Sequence, residues 1–149
     1  MNHLDNPEAT LATERLLPFS PEQIFAAFGS AEKLAQWWGP DGFTNTFETF
    51  EFNPGGHWVF VMHGPDGANY PNENVFREII PNEKVVIDHI VNPKFVLTLT
   101  LTPHGDRTRL NWNQCFETPD LLRRLRSICE PANEQNLDRL ERVLAGEKI

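Results

Sequence analysis

The chain has 149 residues, a length that fits one domain spanning residues 1–149 and that lets a core form without a metal or a disulfide. Its net charge of −8 would repel phosphate backbones and anionic lipids, so we expect neither a nucleic acid nor a membrane partner. No apolar run approaches the ~18 residues of a membrane span, and Met1 to Thr10 carries no apolar signal segment, so we expect a cytoplasmic protein.

Two features of the composition bear on the chemistry. Cys115 and Cys129 stand apart from any Cys/His cluster with zinc-ligand spacing, which predicts two reduced thiols, no metal and no cofactor. The 11 Phe and 4 Trp accompany a single Tyr, and rings in this number can line a pocket as well as fill a core.

The N-terminal third of the chain predicts a strand followed by two short helices. The strand covers Thr10 to Phe19. Ser20 forms a capping box with Gln23, so a helix begins there, and Gly29 ends it. A second helix, Ala31 to Trp38, follows before a loop rich in glycine and proline.

The remainder of the chain predicts six strands and a long helix. The strands are Phe43 to Phe52, His57 to His63, Glu73 to Ile80, Val85 to Ile90, Phe95 to Thr102 and Arg107 to Phe116. Short turns separate them, so the sheet is antiparallel. The helix runs from Pro119 to about Ala145, with a kink or short break expected near Glu130 because Pro131 lacks an amide hydrogen. A curved sheet of about seven strands that packs on one long helix is an α+β fold.

Strand alternation predicts which side chains face the helix. In the middle hairpin, a turn at residues 81–84 pairs Ile80 with Val85 and therefore Arg77 with Asp88, a favourable charge pair on a solvent face. Ile80 and the two polar residues Glu78 and His89 then face inward. The side chains predicted to line a ligand cavity are Trp38, Phe43, Trp58, Phe60, Met62, Phe76, Glu78, Ile87, His89, Phe95, Leu97, Leu99, Trp112, Gln114, Phe116, Leu125, Cys129, Asn133 and Leu137.

Two groups of residues have both a structural and a functional interpretation. In this register His89 is the diagonal neighbour of Glu78, and the two are either a satisfied buried pair or the acid and base of a catalytic site. Trp37 and Trp38 either pin the short helices to the sheet or stack on a planar ligand, and a helix cannot bury both neighbours on one side.

Four segments carry a family resemblance. They are Trp37 to Phe43, Gly55 to Gly67, Glu78 to Pro81 and Leu137 to Leu140. In this order they resemble the activator of heat-shock-protein-90 ATPase homologue family, within the START-like (SRPBCC) helix-grip superfamily. The resemblance covers nearly the whole chain. It implies the helix-grip fold, a cavity between the sheet and the C-terminal helix, and frequent homodimerisation.

Two departures from the family pattern concern the cavity. Ala132-Asn133 stands where the family often has Gly-Trp, and His89 stands where an aromatic residue commonly ends the fifth strand. They imply a cavity that is wider and more polar than usual.

Three hypotheses about function follow, since a fold does not fix a function. The first is a binding protein for a hydrophobic small molecule, such as a lipid or a polycyclic aromatic. The second, suggested by the family name alone, is a co-chaperone-like module that acts on a heat-shock ATPase. The third is an enzyme of the cyclase or dehydratase type that uses His89 and Glu78. The absence of a recognisable catalytic motif favours the first hypothesis over an enzyme.

Overall fold

A computed structural model of the chain describes residues 6–147. The segment Met1 to Thr10, in which we expected no secretory signal, therefore lies partly outside the described residues. The strands are β1 (Thr10–Leu17), β2 (Thr44–Phe50), β3 (His57–His63), β4 (Asn69–Ile80), β5 (Lys84–His89), β6 (Phe95–His104) and β7 (Arg107–Phe116). The helices are α1 (Pro21–Gly29), α2 (Ala31–Trp37) and α3 (Pro119–Leu144). A 3₁₀ helix at Pro7–Ala9, which the sequence analysis did not predict, precedes β1.

All seven strands form one antiparallel sheet with the order β1-β7-β6-β5-β4-β3-β2. Only the pairing of β1 with β7 joins strands that are distant in sequence, and it places the start of the chain beside its last strand. The predicted α+β fold, with a curved antiparallel sheet and one long C-terminal helix, is confirmed.

The hairpin of β4 and β5 departs from the predicted register. Its loop holds three residues rather than four, so Ile80 pairs with Lys84 and Glu78 with Val86. Asn82 in this loop has φ +63°, a left-handed conformation that Asn tolerates. A bulge at Arg77 then shifts the register, and Phe76 lies opposite Ile87. Arg77 and Asp88 still form the predicted ion pair, at 2.6 Å, although they are not directly opposite.

The two short helices begin as the sequence predicts and pack tightly. Ser20 accepts a hydrogen bond from the Gln23 amide and completes the capping box, and Ser30 caps α2. Trp37 is fully buried, and its indole N–H donates to the carbonyl of Ala27 at 3.0 Å. Trp37 therefore ties α2 to α1, as its structural interpretation required.

The long helix α3 lies over the β1 side of the sheet and packs against β1, β7, α1 and α2. Arg15 of β1 fixes it there through ion pairs to Glu134, Asp138 and Glu141, at 2.7–3.0 Å. The helix continues through Pro131 without interruption, which excludes a short break there, and the kink stays a prediction. Packing along both halves of the helix compensates for the hydrogen bond that the proline cannot make.

Candidate functional site

The concave side of the sheet carries a large aromatic cluster centred on Trp38. The ring of Trp38 lies 5.0 Å from that of Trp58 and 5.7 Å from that of Trp112. The rings of Phe60 and Phe76 both stack against the ring of Trp58. Trp38 thus packs in the interior together with Trp37, its neighbour, rather than facing solvent.

A second, smaller apolar cluster lies under the N-terminal half of α3. Its buried members are Leu11, Phe116 and Leu122, with Leu125 and Cys129 of α3 partly buried against them. Phe95 is the side chain that contacts both clusters. The concave side therefore carries one main apolar core and a smaller satellite cluster, which meet at Phe95.

We call the region between the two clusters the groove. On the sheet its floor consists of Asn74, His89 and Gln114, and on α3 its roof consists of Leu125, Cys129 and Asn133. The floor residues are buried, whereas all three roof residues are only half-buried although they face the sheet. The roof of the groove is therefore partly exposed, whereas its floor is not.

His89 is held in a fixed orientation on the floor of the groove. Its Nδ1 donates to the carbonyl of Pro93 at 2.9 Å, its Nε2 lies 2.8 Å from Oδ1 of Asn72, and its ring stacks on Phe95 at 4.4 Å. Burial lowers the pKa of His89, against the opposing effect of the Pro93 carbonyl. Both ring nitrogens face oxygens of the protein rather than open space.

Glu78 does not accompany His89, and the predicted acid–base pair is wrong. The three-residue loop and the bulge at Arg77 place Glu78 opposite Val86, on the convex face, where its carboxylate pairs with Lys84 at 3.0 Å. Ile80, also predicted to face inward, is exposed there. Ile79 takes the inward position and packs against the main cluster. The cyclase or dehydratase hypothesis therefore loses the pair of residues on which it rested.

Most of the other predicted lining residues do lie on the concave side. Those buried there are Trp38, Trp58, Phe60, Phe76, Ile87, His89, Leu97, Leu99, Trp112, Gln114, Phe116 and Leu137. Those partly buried are Phe43, Met62, Phe95, Leu125, Cys129 and Asn133. Phe43 lines a separate open cleft of ≈ 640 Å³ between α2 and α3, which it shares with Asn45, Arg139 and Arg142.

Four buried side-chain polar atoms among residues 6–147 have no hydrogen-bond partner. They are the indole N–H groups of Trp58 and Trp112 and the side-chain oxygens of Asn74 and Asn45, and the first three lie on the concave side of the sheet. Asn74 lies directly opposite Trp58 in the sheet, and Trp112 is two residues before Gln114 on the same face of β7. Gln114 itself accepts a hydrogen bond from Asn133 of the roof at 3.0 Å. A buried polar group without a partner is costly.

Sequence reasoning missed Asn72 and Asn74. The predicted strand began at Glu73, whereas β4 begins at Asn69, so Asn72 lay outside it; Asn74 lay within it and was not considered as a lining residue. Pro71 pairs with Val61 of β3, but the pairing of β4 with β5 begins only at Asn74. Pro71 therefore has a strand on one side only, and such an edge position tolerates a proline.

Arg139 is the third residue that sequence reasoning missed, and it has a structural role. Its buried guanidinium donates to five backbone carbonyls, those of Gln36, Trp38, Gly39, Pro40 and Phe43, at 2.6–3.4 Å. Burial lowers its pKa. A charged residue between the apolar positions of the Leu137 to Leu140 motif was the signal that could have revealed it.

The described residues contain no group of three or more His, Cys, Asp or Glu side chains placed to hold a metal ion. None of the helices in residues 6–147 combines the length and apolarity needed to cross a membrane.

Comparison with known proteins identifies the family. The model of a family described as activator of Hsp90 ATPase homolog 1-like protein matches residues 18–145. The chain belongs to this family. No curated protein matches the sequence significantly.

Solved structures share the fold over almost the entire chain. A protein of Nitrosomonas europaea is 19% identical with a TM-score of 0.87, covering 95% of this chain and 97% of its own. A protein of Arthrobacter aurescens is 22% identical with a TM-score of 0.86, covering 95% and 90%. The AHSA1 protein of Silicibacter pomeroyi is 24% identical with a TM-score of 0.75, covering 92% and 98%. At these identities the likeness shows the helix-grip fold.

Proposed function

We propose that this protein binds a hydrophobic small molecule in the groove between the sheet and α3. The observation that carries the proposal is the division of the concave side into two apolar clusters, with a solvent-accessible roof between them. A mostly apolar concavity with a few placed polar groups is the usual form of a small-molecule site.

The chemistry of the groove favours binding over turnover. Its floor holds two amides and an imidazole whose two nitrogens both face oxygens of the protein, and its roof adds Cys129. Burial raises the pKa of the Cys129 thiol, which keeps it protonated and weakly nucleophilic.

The first experiment is native mass spectrometry of the protein purified from its own host, followed by solvent extraction. A retained small molecule supports the proposal and identifies the ligand class. An empty protein that co-purifies with a heat-shock ATPase contradicts it and supports the co-chaperone hypothesis instead.

A pair of variants locates the site. Cys129→Phe places a ring in the groove and should abolish retention of the molecule. Ile128→Phe places the same ring one residue away, at a position that is 66% exposed, and should retain it. Circular dichroism checks that both variants fold. Equal retention by the two variants would show that the molecule binds elsewhere.

A further inference from the structure

The open cleft between α2 and α3 carries two opposite charges that do not pair with each other. Its volume is ≈ 640 Å³, and its lining includes Asp41, on the loop after α2, and Arg142 of α3. Among residues 6–147, the carboxylate of Asp41 forms no hydrogen bond or ion pair. Arg142 has one ion pair, from Nε to Glu147 at 3.7 Å, so both terminal nitrogens of its guanidinium lack a partner within the same residues.

The buried guanidinium of Arg139 lines the same cleft and shows that the two charges lie near one another. Burial lowers the pKa of Arg139, the negative charge of Asp41 raises it, and the positive charge of Arg142 lowers it. Asp41 and Arg142 are thus both close enough to act on one buried group, although they are too far apart to form an ion pair.

The separation of the two charges is set by the fold. The backbone N–H of Asp41 donates to Oε1 of Gln135 on α3 at 3.1 Å. On either side of Asp41, the carbonyls of Pro40 and Phe43 accept hydrogen bonds from Arg139 at 2.6 and 2.8 Å. The loop that carries Asp41 is therefore fixed against the helix that carries Arg142, and a ligand that bridges them does not have to order it.

The rest of the lining offers apolar surface beside the charges. Ala35 and Phe43 line the cleft and are both half-buried, so part of each side chain is accessible. A molecule that matches this cleft carries one ammonium, one carboxylate and an apolar side chain. Such a molecule has no net charge, so the overall charge of −8 neither attracts nor repels it strongly.

We propose that the cleft binds a free amino acid with an apolar side chain, its ammonium on Asp41 and its carboxylate on Arg142. A guanidinium and a carboxylate form strong, charge-assisted hydrogen bonds, often two in parallel. An amino acid within a peptide has lost at least one of the two charges, so the cleft selects the free form. This site is separate from the groove, because Arg142 lies about 20 Å along α3 from Cys129.

The test compares three probes that share a phenyl ring and differ in charge. They are L-phenylalanine, which carries both charges, 3-phenylpropanoate, which lacks the ammonium, and 2-phenylethylamine, which lacks the carboxylate. Titrations followed by the backbone amide signals in NMR spectra measure the affinities. We expect L-phenylalanine to bind with a Kd of about 1 mM, and roughly ten-fold more tightly than either of the other two.

Two variants assign the charges. Asp41→Asn should reduce the preference for L-phenylalanine over 3-phenylpropanoate to about one, and Arg142→Met should do the same for the preference over 2-phenylethylamine. Arg126→Met is the matched control. Arg126 also lies on α3 and has one exposed pair, with Glu130 at 3.3 Å, but it does not line the cleft, so both preferences should remain.

Three results would overturn the assignment of the cleft, and none of them bears on the groove. The first is equal affinity for the three probes, or no binding by any of them. The second is a preference that survives in both Asp41→Asn and Arg142→Met. The third is loss of L-phenylalanine binding in Cys129→Phe, which would place the amino acid in the groove. If the assignment is correct, Cys129→Phe binds L-phenylalanine as the unmodified protein does.

Discussion

Replacement of Arg139 by Met should destabilise the protein, because one side chain holds the whole loop between α2 and β2 against α3. Of the five carbonyls that its guanidinium bonds, those of Trp38 and Gly39 belong to buried residues, whereas those of Gln36, Pro40 and Phe43 belong to half-buried ones. Water can replace the arginine at the half-buried carbonyls. The carbonyl of Trp38 also accepts a hydrogen bond from Nδ2 of Asn45 at 2.9 Å, so only the buried carbonyl of Gly39 would be left without a partner.

The magnitude follows from that one carbonyl. At about 1.5 kcal/mol for an unsatisfied group, the free energy of unfolding should fall by about 1.5 kcal/mol. For a domain of this size, that loss lowers the Tm by about 3–6 °C. The gain from no longer burying a charge works in the opposite direction, so about 1.5 kcal/mol is nearer the upper end of the expected range.

Arg142→Met provides the matched control for this prediction. Arg142 lies one turn further along α3, is half-exposed and pairs with Glu147 at 3.7 Å, and such surface pairs contribute about 0–1 kcal/mol. Urea unfolding followed by tryptophan fluorescence measures both variants. If Arg139→Met unfolds within about 0.5 kcal/mol of Arg142→Met, the carbonyl cluster does not stabilise the loop and the reasoning is refuted.

Three further predictions concern other contacts. Gly56→Ala should lower the free energy of unfolding by about 2 kcal/mol or more, because a Cβ there would lie 2.0 Å from the carbonyl oxygen of Glu51. Gly55→Ala is the control: Gly55 has φ +83° but open space around it, so this change should lower the free energy of unfolding by only about 1 kcal/mol in the same urea assay. Arg15→Met removes three ion pairs and should lower the free energy of unfolding by about 1–2 kcal/mol in low salt. If the free energy of unfolding falls by the same amount at about 1 M salt, the effect does not have an electrostatic origin. Because burial lowers the pKa of His89, the unfolded chain binds a proton there more readily than the folded chain. Stability should therefore fall as the pH drops below about 6.5, and His89→Asn should weaken that dependence in unfolding curves measured across this range.

The elements that the sequence predicted well are those whose ends are marked by local chemistry. Residues 57–63 and 107–116 form strands with the predicted bounds, because turns rich in glycine, proline or aspartate delimit both. The capping box at Ser20 sets the start of α1 for the same reason. Such signals depend on a few adjacent residues, and a sequence contains them completely.

The site was harder to predict because it depends on register. Whether the hairpin loop has three or four residues is decided by the left-handed backbone of Asn82, and Asn is compatible with either. The bulge at Arg77 adds one residue to β4, so Phe76 faces inward as predicted whereas Glu78 faces outward. Inward positions before the bulge were thus predicted correctly, and those between the bulge and the loop were reversed.

The three-residue loop also determines the electrostatic character of the groove. With the four-residue turn that the sequence predicted, the carboxylate of Glu78 would face the concave side, where an ion without a partner is strongly disfavoured. With three residues in the loop, Glu78 lies opposite Val86 and its carboxylate pairs with Lys84 on the convex face. The floor of the groove then holds two amides, those of Asn74 and Gln114, and the imidazole of His89, whose pKa burial lowers. None of these groups needs to be charged near neutral pH, so the floor is polar and uncharged. If the proposed ligand binds there, such a floor favours a neutral molecule over a fatty acid, because a carboxylate would lose its hydration without gaining a counter-ion.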